Sequence, residues 1–214
     1  MLRRLSSSLL ALFAILVALS LAPLARADLV EGKDYSKVAT PQSGGTPGKI
    51  EVIEFFSYGC PHCYDLHPHI KPWAKELPAN VAFVRVPLAL GRREWGALSR
   101  AYYTLQSMGE LARLDDALFD AIHKEGRPLY DEESLTVWVA QHGVDAARFA
   151  SEYNSAATSD KVIKAEQMSR SYRVASVPTL AVGGQFIVIG QVVAGKDTRL
   201  PVARELIDKV AGKR

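Results

Sequence analysis

The stretch EFFSYGCPHC, residues 54–63, decides the fold of this chain. An apolar segment typical of a buried strand ends there in the only two cysteines of the sequence, Cys60 and Cys63. Two residues separate the cysteines, and Pro61 is well suited to the first turn of a helix. The pattern therefore predicts a strand-to-helix junction, with one sulfur at the helix N-terminus and the other about one turn further along.

The predicted helix N-terminus favours a thiolate at Cys60. Free backbone N–H groups and the positive end of the helix dipole stabilise an anion there, which lowers the pKa of the thiol. His62, as an imidazolium or as a neutral N–H donor, is placed within reach of the same sulfur. Each pKa unit corresponds to about 1.4 kcal/mol, or about 30 mV for a two-electron couple. A stabilised thiolate stabilises the reduced form, so we expect the disulfide of Cys60 and Cys63 to be an oxidant.

Residues 1–27 predict a secretory signal peptide. Two arginines precede an apolar run at residues 9–22, and residues 25–27 have the A-x-A pattern of a cleavage site. The alternative is a membrane anchor, but a membrane-spanning helix needs roughly 20 apolar residues, and the run at residues 9–22 is shorter than this. Cleavage after Ala27 removes three arginines and no acidic residue, which leaves 23 basic against 23 acidic residues. The mature chain is then near neutral, and its charge gives no argument for nucleic-acid binding.

The spacing of the cysteines indicates redox chemistry. Export to an oxidising compartment usually brings structural disulfides, but here both cysteines lie in one tight motif. So small a loop constrains the unfolded chain little. We therefore interpret the pair as redox-active.

Residues 28–90 predict the first half of a small α/β sheet. Residues 50–56 and 81–86 have the pattern of strands, and residues 60–77 that of a helix with two internal prolines, where a kink is expected. A helix between two strands predicts a parallel pair. The polar lead-in before residue 49 predicts one short edge strand near Val38.

The rest of the chain predicts an inserted helical domain and then a second half of the sheet. Residues 91–167 contain apolar stripes at helical spacing and form the predicted insertion, in which residues 144–157 are expected to form one helical segment. In residues 168–214, strands at 179–182 and 185–189 flank two glycines, a two-residue hairpin signal. A last helix is expected to begin at Asp197 or Thr198.

This element order resembles the thioredoxin fold, an α/β fold with a central mixed sheet flanked by helices, here with an inserted all-helical domain. The motif EFFSYGCPHCY, together with Val177-Pro178 ahead of the hairpin, resembles the DsbA family of periplasmic thiol:disulfide oxidoreductases. The resemblance implies a low-pKa cysteine and an oxidising disulfide, which are known properties of that family and agree with the expectation for Cys60.

The resemblance implies roles for individual residues. Cys60 would be the exposed nucleophile that a substrate thiolate attacks, and Cys63 the buried cysteine that leaves. Pro178 would be a cis-proline beside the disulfide, with the backbone of Val177 pairing with an extended substrate peptide. Glu54 would lie buried beneath the disulfide and relay the proton of Cys63; the alternatives are a rim position or a pair with a cation.

The resemblance also implies partners and a location. Exported proteins with free cysteines would be the substrates, and a DsbB-type membrane protein that passes electrons to a quinone would restore the disulfide. The protein would be periplasmic, with no bound cofactor and no metal. We expect a monomer, since no dimerisation region is visible before residue 50.

A metal site is the main alternative from another class. Cys60, Cys63, His67 and His69 include ligand types that zinc accepts. Structural zinc sites, however, usually draw ligands from two separated segments, and Pro68 disturbs the helix between the histidines. We therefore expect His67 and His69 to be solvated polar positions.

Two enzyme alternatives remain on the same fold. A disulfide isomerase needs a pair that is kept largely reduced and usually a dimerisation region. A glutathione-dependent enzyme commonly lacks the second cysteine.

For the oxidase, we expect an apolar, weakly selective groove around the disulfide, with Tyr58, Tyr64, Val177 and the turn near Gly190 as its walls.

Overall fold

A computed structural model describes residues 28–190, 192–193 and 196–212. The predicted signal peptide at residues 1–27 lies outside these residues. In the part of the chain that is described, no helix has both the length and the apolar character that a membrane crossing requires.

A five-stranded mixed sheet forms the centre of the molecule. Its spatial order is β1-β5-β4-β2-β3. β2 and β3 are parallel, which confirms the predicted βαβ unit, and the other neighbouring strands are antiparallel. The strands are β1 (Tyr35–Lys37), β2 (Ile50–Phe56), β3 (Val81–Pro87), β4 (Thr179–Val182) and β5 (Phe186–Val188), and a separate two-stranded ribbon consists of β6 (Val192–Val193) and β7 (Lys196–Asp197).

Seven helices surround the sheet in the described residues. The first follows β2, the next five lie consecutively between β3 and β4, and the last closes the chain. The chain thus has the predicted thioredoxin fold with helices inserted between its two halves. The helices are α1 (Pro61–Lys75), α2 (Arg93–Met108), α3 (Leu111–His123), α4 (Glu132–Gln141), α5 (Ala146–Tyr153), α6 (Ala156–Ser171) and α7 (Arg199–Val210).

The prediction of one helical segment over residues 144–157 is wrong. α5 ends at Tyr153 and α6 begins at Ala156. Ser155 caps α6, because its side-chain oxygen accepts a hydrogen bond of 3.1 Å from the backbone N–H of Thr158. The predicted limits of the inserted domain at residues 91 and 167 stay predictions, and the second of them falls inside α6.

The hairpin between β4 and β5 has a three-residue loop and not the predicted two-residue loop. Val182 pairs with Phe186, which leaves residues 183–185 in the loop. Both glycines have positive φ, 59° and 66°. A Cβ on Gly184 would lie 1.9 Å from the carbonyl oxygen of Gln42. The loop therefore needs glycine both for its conformation and for the close passage of the N-terminal segment.

The side chains of β2 enter two apolar cores. Val52 packs in a cluster with Leu66 of α1 and Leu206 of α7. Ile53 and Phe55 belong to a larger cluster that includes the inserted helices and both cysteines. Because alternate strand residues face opposite sides of a sheet, β2 joins both cores and places the motif at its end against the inserted helices.

Candidate active site

Cys60 lies at the predicted junction, as the residue that caps the N-terminus of α1. Its backbone is extended, with φ −95° and ψ 117°, and Pro61 occupies the first helical position. The Cys60 carbonyl accepts hydrogen bonds of 3.1 Å from the N–H groups of Cys63 and Tyr64. Pro61 lacks an N–H, which costs nothing at this position because the first N–H groups of a helix have no partner within it.

The expectation that Cys60 is exposed is wrong. Cys60 is only 4% exposed and Cys63 is fully buried. Residues of the β3–α2 loop, the start of α2 and the segment before β4 lie beside Cys60. Cys60 is reached through a cleft of about 390 Å³, which His62, Trp95 and Val177 also line. An attacking thiolate therefore has to enter this cleft.

The two cysteines have opposite acidities. The pKa of Cys60 is lowered to about 6, mainly because the Cys63 thiol donates a hydrogen bond to the Cys60 thiolate; burial opposes this, and the backbone N–H groups of Cys63 and His62 add to it. Burial raises the pKa of Cys63 strongly, and the nearby Cys60 thiolate and Glu54 raise it further. In the reduced protein, the negative charge is thus held on Cys60 and the proton on Cys63.

The imidazole of His62 contributes less to the lowered pKa of Cys60 than the sequence predicts. Its side chain is 81% exposed, and Nδ1 lies 3.8 Å from Oδ2 of Asp65. His62 lowers the Cys60 pKa through its backbone N–H first and through its charge second. The Cys63 thiol and the start of the helix therefore stabilise the thiolate more than the imidazole does.

We expect His62→Ser to raise the Cys60 pKa from about 6 by less than about one unit. The substitution removes an exposed imidazole but keeps the backbone N–H. Ultraviolet absorbance of the thiolate against pH measures the shift. His69→Ser is the control, since His69 is also exposed on α1 and is not among the groups that shift the Cys60 pKa. An unchanged Cys60 pKa in His62→Ser would show that the imidazole does not stabilise the thiolate.

The same pKa predicts how stability depends on pH. A thiol whose pKa is lower in the folded than in the unfolded chain contributes stability that is present above the unfolded value of about 8.5. That contribution is lost as pH falls through about 6. The disulfide form carries no titrating Cys60. Urea unfolding of the two redox forms should therefore show the reduced form losing stability relative to the oxidised form as the pH is lowered over this range.

The Val177–Pro178 peptide bond is cis, in agreement with the predicted isomer. The carbonyl oxygen of Val177 lies 3.4 Å from Sγ of Cys60 and accepts a hydrogen bond from this sulfur when the thiol is protonated. This contact places the turn before β4 directly beside the sulfur at the start of α1. The two halves of the thioredoxin fold thus meet at Cys60.

Glu54 is buried, as expected, and is also paired with a cation. Nε of Arg85 donates a hydrogen bond of 2.6 Å to Oε2 of Glu54. The other oxygen, Oε1, is buried and has no hydrogen-bond partner. Nη1 of Arg85 lies 2.9 Å from each carboxylate oxygen of Asp115 on α3. Burial opposes the charge of Arg85, but the two carboxylates outweigh burial and raise its pKa.

Tyr58 belongs to this buried group, so its prediction as a groove wall is wrong. Its side chain is fully buried, and its hydroxyl donates a hydrogen bond of 2.6 Å to Oδ1 of Asp115. Arg85 and Asp115 were not predicted as site residues. One signal in the sequence points to Arg85: a cation stands in an apolar strand, and the parallel register pairs it with Glu54.

His67 is buried and not solvated. It is 6% exposed, and its Nε2 lies 2.6 Å from Oδ1 of Asp116 on α3. Among the described residues, the potential metal ligands that gather are His67, Asp115 and Asp116, without either cysteine. Asp116 also pairs with Lys71. The ligand set proposed for zinc is therefore not brought together, while His69 is exposed as expected.

Two further expected groove walls lie elsewhere. Tyr64 borders a separate cavity with His67 and Asp116, and its hydroxyl donates a hydrogen bond of 3.0 Å to Asp120. Gly190 borders a cavity of about 530 Å³ that Pro178 also lines. Of the predicted walls, Val177 is the one that lines the cleft at Cys60.

The opposite wall of the cleft consists of residues that the sequence analysis missed. Leu90, Arg92 and Trp95 lie there, at the end of the β3–α2 loop and the start of α2. The Arg92 guanidinium stacks 4.5 Å above the Trp95 ring. A Cβ on Gly59 would come 2.4 Å from Nε1 of Trp95. The glycine before Cys60 is thus the position that lets this wall approach the sulfur.

Comparisons with known proteins agree with this geometry. Residues 51–198, which include both cysteines and Pro178, match the family described as DSBA-like thioredoxin domain. The thiol:disulfide interchange protein DsbA of Pseudomonas aeruginosa is 40% identical over 182 residues, covering 85% of this chain and 86% of that protein. DsbA of Pseudomonas syringae pv. tomato is 38% identical over 178 residues, covering 83% of each.

Solved structures are similar over the same range. A crystal structure of a Pseudomonas aeruginosa DsbA variant matches with a TM-score of 0.81 at 39% identity, covering 86% of this chain and 100% of that one. The crystal structure of the oxidoreductase DsbA from Xylella fastidiosa matches with a TM-score of 0.79 at 28% identity, covering 86% and 98%. The similarity therefore extends over the sheet and the inserted helices together.

Proposed function

The chain belongs to the family of DSBA-like thioredoxin domains, and from this premise we propose that it donates its Cys60–Cys63 disulfide to newly exported proteins in the periplasm. The protein is a thiol:disulfide oxidoreductase. The proposal that the protein donates its disulfide, and does not reduce disulfides in other proteins, rests on the opposite acidity of the two cysteines. A stabilised Cys60 thiolate favours the reduced form of the protein.

The transfer proceeds in two displacements. A substrate thiolate attacks Sγ of Cys60, the bond between Cys60 and Cys63 breaks, and Cys63 leaves with the electron pair and takes up a proton. A second substrate thiolate then attacks the substrate sulfur of the mixed disulfide and releases Cys60 as a thiolate. The substrate loses two electrons and forms a disulfide, and the protein gains them as a thiol and a thiolate.

Residues around the pair support these steps. In the second displacement Cys60 is a good leaving group, because its pKa is low and a thiol with a lower pKa leaves faster. Glu54 is proposed to relay the proton of Cys63: it gives a proton to the leaving Cys63 sulfur when the disulfide is donated, and its unpartnered Oε1 takes the proton up again when the pair is re-oxidised. The backbone of Val177, beside the cis-proline Pro178, is proposed to pair with an extended substrate segment.

The cycle is completed outside this chain. A DsbB-type membrane protein is proposed to accept the two electrons from reduced Cys60 and Cys63 and to pass them to a quinone. The signal peptide at residues 1–27 is proposed to direct export and to be cleaved after Ala27. We propose that the mature protein acts as a monomer without a metal, a cofactor or a nucleic-acid partner.

The test is the redox equilibrium of the mature protein with glutathione. We expect the equilibrium to lie far toward the dithiol, since the reduced form is stabilised. Trp95 lines the same cleft as Cys60, so tryptophan fluorescence should report the redox state, and thiol trapping provides a second measurement. An equilibrium that favours the disulfide would indicate a reductase or a structural bridge and would overturn the proposed direction.

A further inference from the structure

The cleft at Cys60 has a cationic wall and no acidic one. We infer that it selects substrate segments with an acidic residue next to the reacting cysteine, an inference that rests on the proposed oxidase function. It goes beyond a weakly selective apolar groove, because it assigns a charge preference to a named side chain, Arg92.

Three segments of the chain form the cleft. The start of α1, from Cys60 to His62, lies on one side, and residues 175–177 lie on the second. The third side consists of Leu90, Arg92 and Trp95. A substrate chain that is joined to Cys60 and pairs with the backbone of Val177 has to place the neighbours of its cysteine between these walls.

The charges on these walls have one sign. Among the described residues that line the cleft, Arg92 is the permanently charged one, His62 is a second basic side chain, and none is acidic. Arg92 is exposed, and within the described part of the chain no carboxylate lies at ion-pair distance from it. His62 has a carboxylate beside it, since its Nδ1 lies 3.8 Å from Oδ2 of Asp65. An acidic substrate side chain would therefore supply the carboxylate that Arg92 lacks.

The position of Arg92 is held by its surroundings. Its guanidinium stacks on Trp95, and Trp95 packs directly on Gly59, the residue before the reactive cysteine. The loop that leads to Arg92 has left-handed backbone at Leu90, with φ 46°, a conformation that a leucine keeps only where the surrounding structure fixes it. A fixed cation discriminates between substrates better than a freely moving one.

The experiment compares two reduced dithiol peptides that differ at one position, with aspartate or lysine next to the reacting cysteine. The quantity measured is the ratio of their oxidation rates by the oxidised protein, in single turnover at low salt. Taking the ratio within each variant cancels any effect common to both peptides. We expect wild type to oxidise the aspartate peptide faster, and Arg92→Glu to shift the ratio by roughly tenfold toward the lysine peptide.

Arg93→Glu is the matched control. Arg93 is the next residue and is also exposed, but it does not line the cleft, and its charge acts on Asp131. The control changes the net charge by the same amount and should keep the wild-type ratio. Concentrated salt should reduce the preference of wild type.

Each other outcome overturns the inference. Arg92 would not select acidic substrate segments if wild type oxidised the two peptides at equal rates or if the ratio were unchanged in Arg92→Glu. The same conclusion would follow if Arg92→Glu and Arg93→Glu shifted the ratio equally. In those cases the peptides are still oxidised, so the proposed function stands. Wild type that leaves both peptides reduced would overturn the oxidase function, and the inference with it.

Discussion

Replacing Cys60 with serine is expected to abolish disulfide transfer. A hydroxyl forms no disulfide, and Cys63 cannot take over, because it is fully buried and its raised pKa keeps it protonated. The thiolate is the reactive species in thiol–disulfide exchange. The measurement is the rate at which a reduced dithiol peptide is oxidised, which should fall to the rate without protein.

Cys63→Ser, the same substitution three residues along, gives the contrast. It leaves the reactive sulfur of Cys60 in place but removes the group that would displace a substrate from it. The Cys60 thiolate can still attack a disulfide in a substrate protein, which forms the Cys60–substrate bond, breaks the substrate disulfide and releases its other sulfur as a thiolate. We expect these mixed disulfides to accumulate, visible as adducts on non-reducing gels. Adducts should be absent in Cys60→Ser. Oxidation by Cys60→Ser at the wild-type rate, or adducts through residue 63 in that variant, would contradict the assigned roles.

The parts of the fold that depend on local sequence were predictable. β2, β3 and β4 have apolar patterns of strand length, and the helix start after Cys60 is marked by Pro61. The break between α5 and α6 was missed, because apolar residues continue across it and only the cap at Ser155 ends the pattern. Capping depends on one side-chain hydrogen bond, which periodicity does not reveal.

The missed site residues depend on contacts between distant segments. Tyr58 and His67 both look like surface or groove positions until α3 brings Asp115 and Asp116 against them. Arg92 and Trp95 lie beside Cys60 because the end of the β3–α2 loop and the start of α2 pack next to the motif. A single sequence fixes neither the angle nor the depth of that packing, whereas the opposite charges at the paired positions Glu54 and Arg85 were a usable signal.

Replacing Arg85 with methionine is expected to lower the free energy of unfolding by about 3–5 kcal/mol. Arg85 is the cation between the carboxylates of Glu54 and Asp115, whose side chains are 1% and 10% exposed. Methionine is apolar and unbranched like the arginine stem, so it fills much of the space but leaves two buried carboxylates without the guanidinium that pairs with them. Urea unfolding of the oxidised form measures the change without a contribution from thiol titration.

Arg113→Met is the matched control for this loss. Arg113 pairs with Glu110 at 2.7 Å, but their side chains are 50% and 32% exposed. Exposed pairs contribute about 1 kcal/mol or less, because water solvates both partners when they separate. A similar loss of stability in both variants would mean that burial of the charges does not decide the effect, and the prediction for Arg85 would be wrong.

Burial of uncompensated charge and loss of packing can be separated by a triple variant. Arg85 also lies 3.9 Å above the Phe56 ring, so Arg85→Met loses a contact as well as a charge. Adding Glu54→Gln and Asp115→Asn removes the two negative charges but restores no contact of the guanidinium. If uncompensated charge causes the loss, the triple variant should be more stable than Arg85→Met alone, because a neutral amide costs far less to bury than a carboxylate. If it is no more stable, the stacking on Phe56 and not the charge would hold β2, β3 and α3 together.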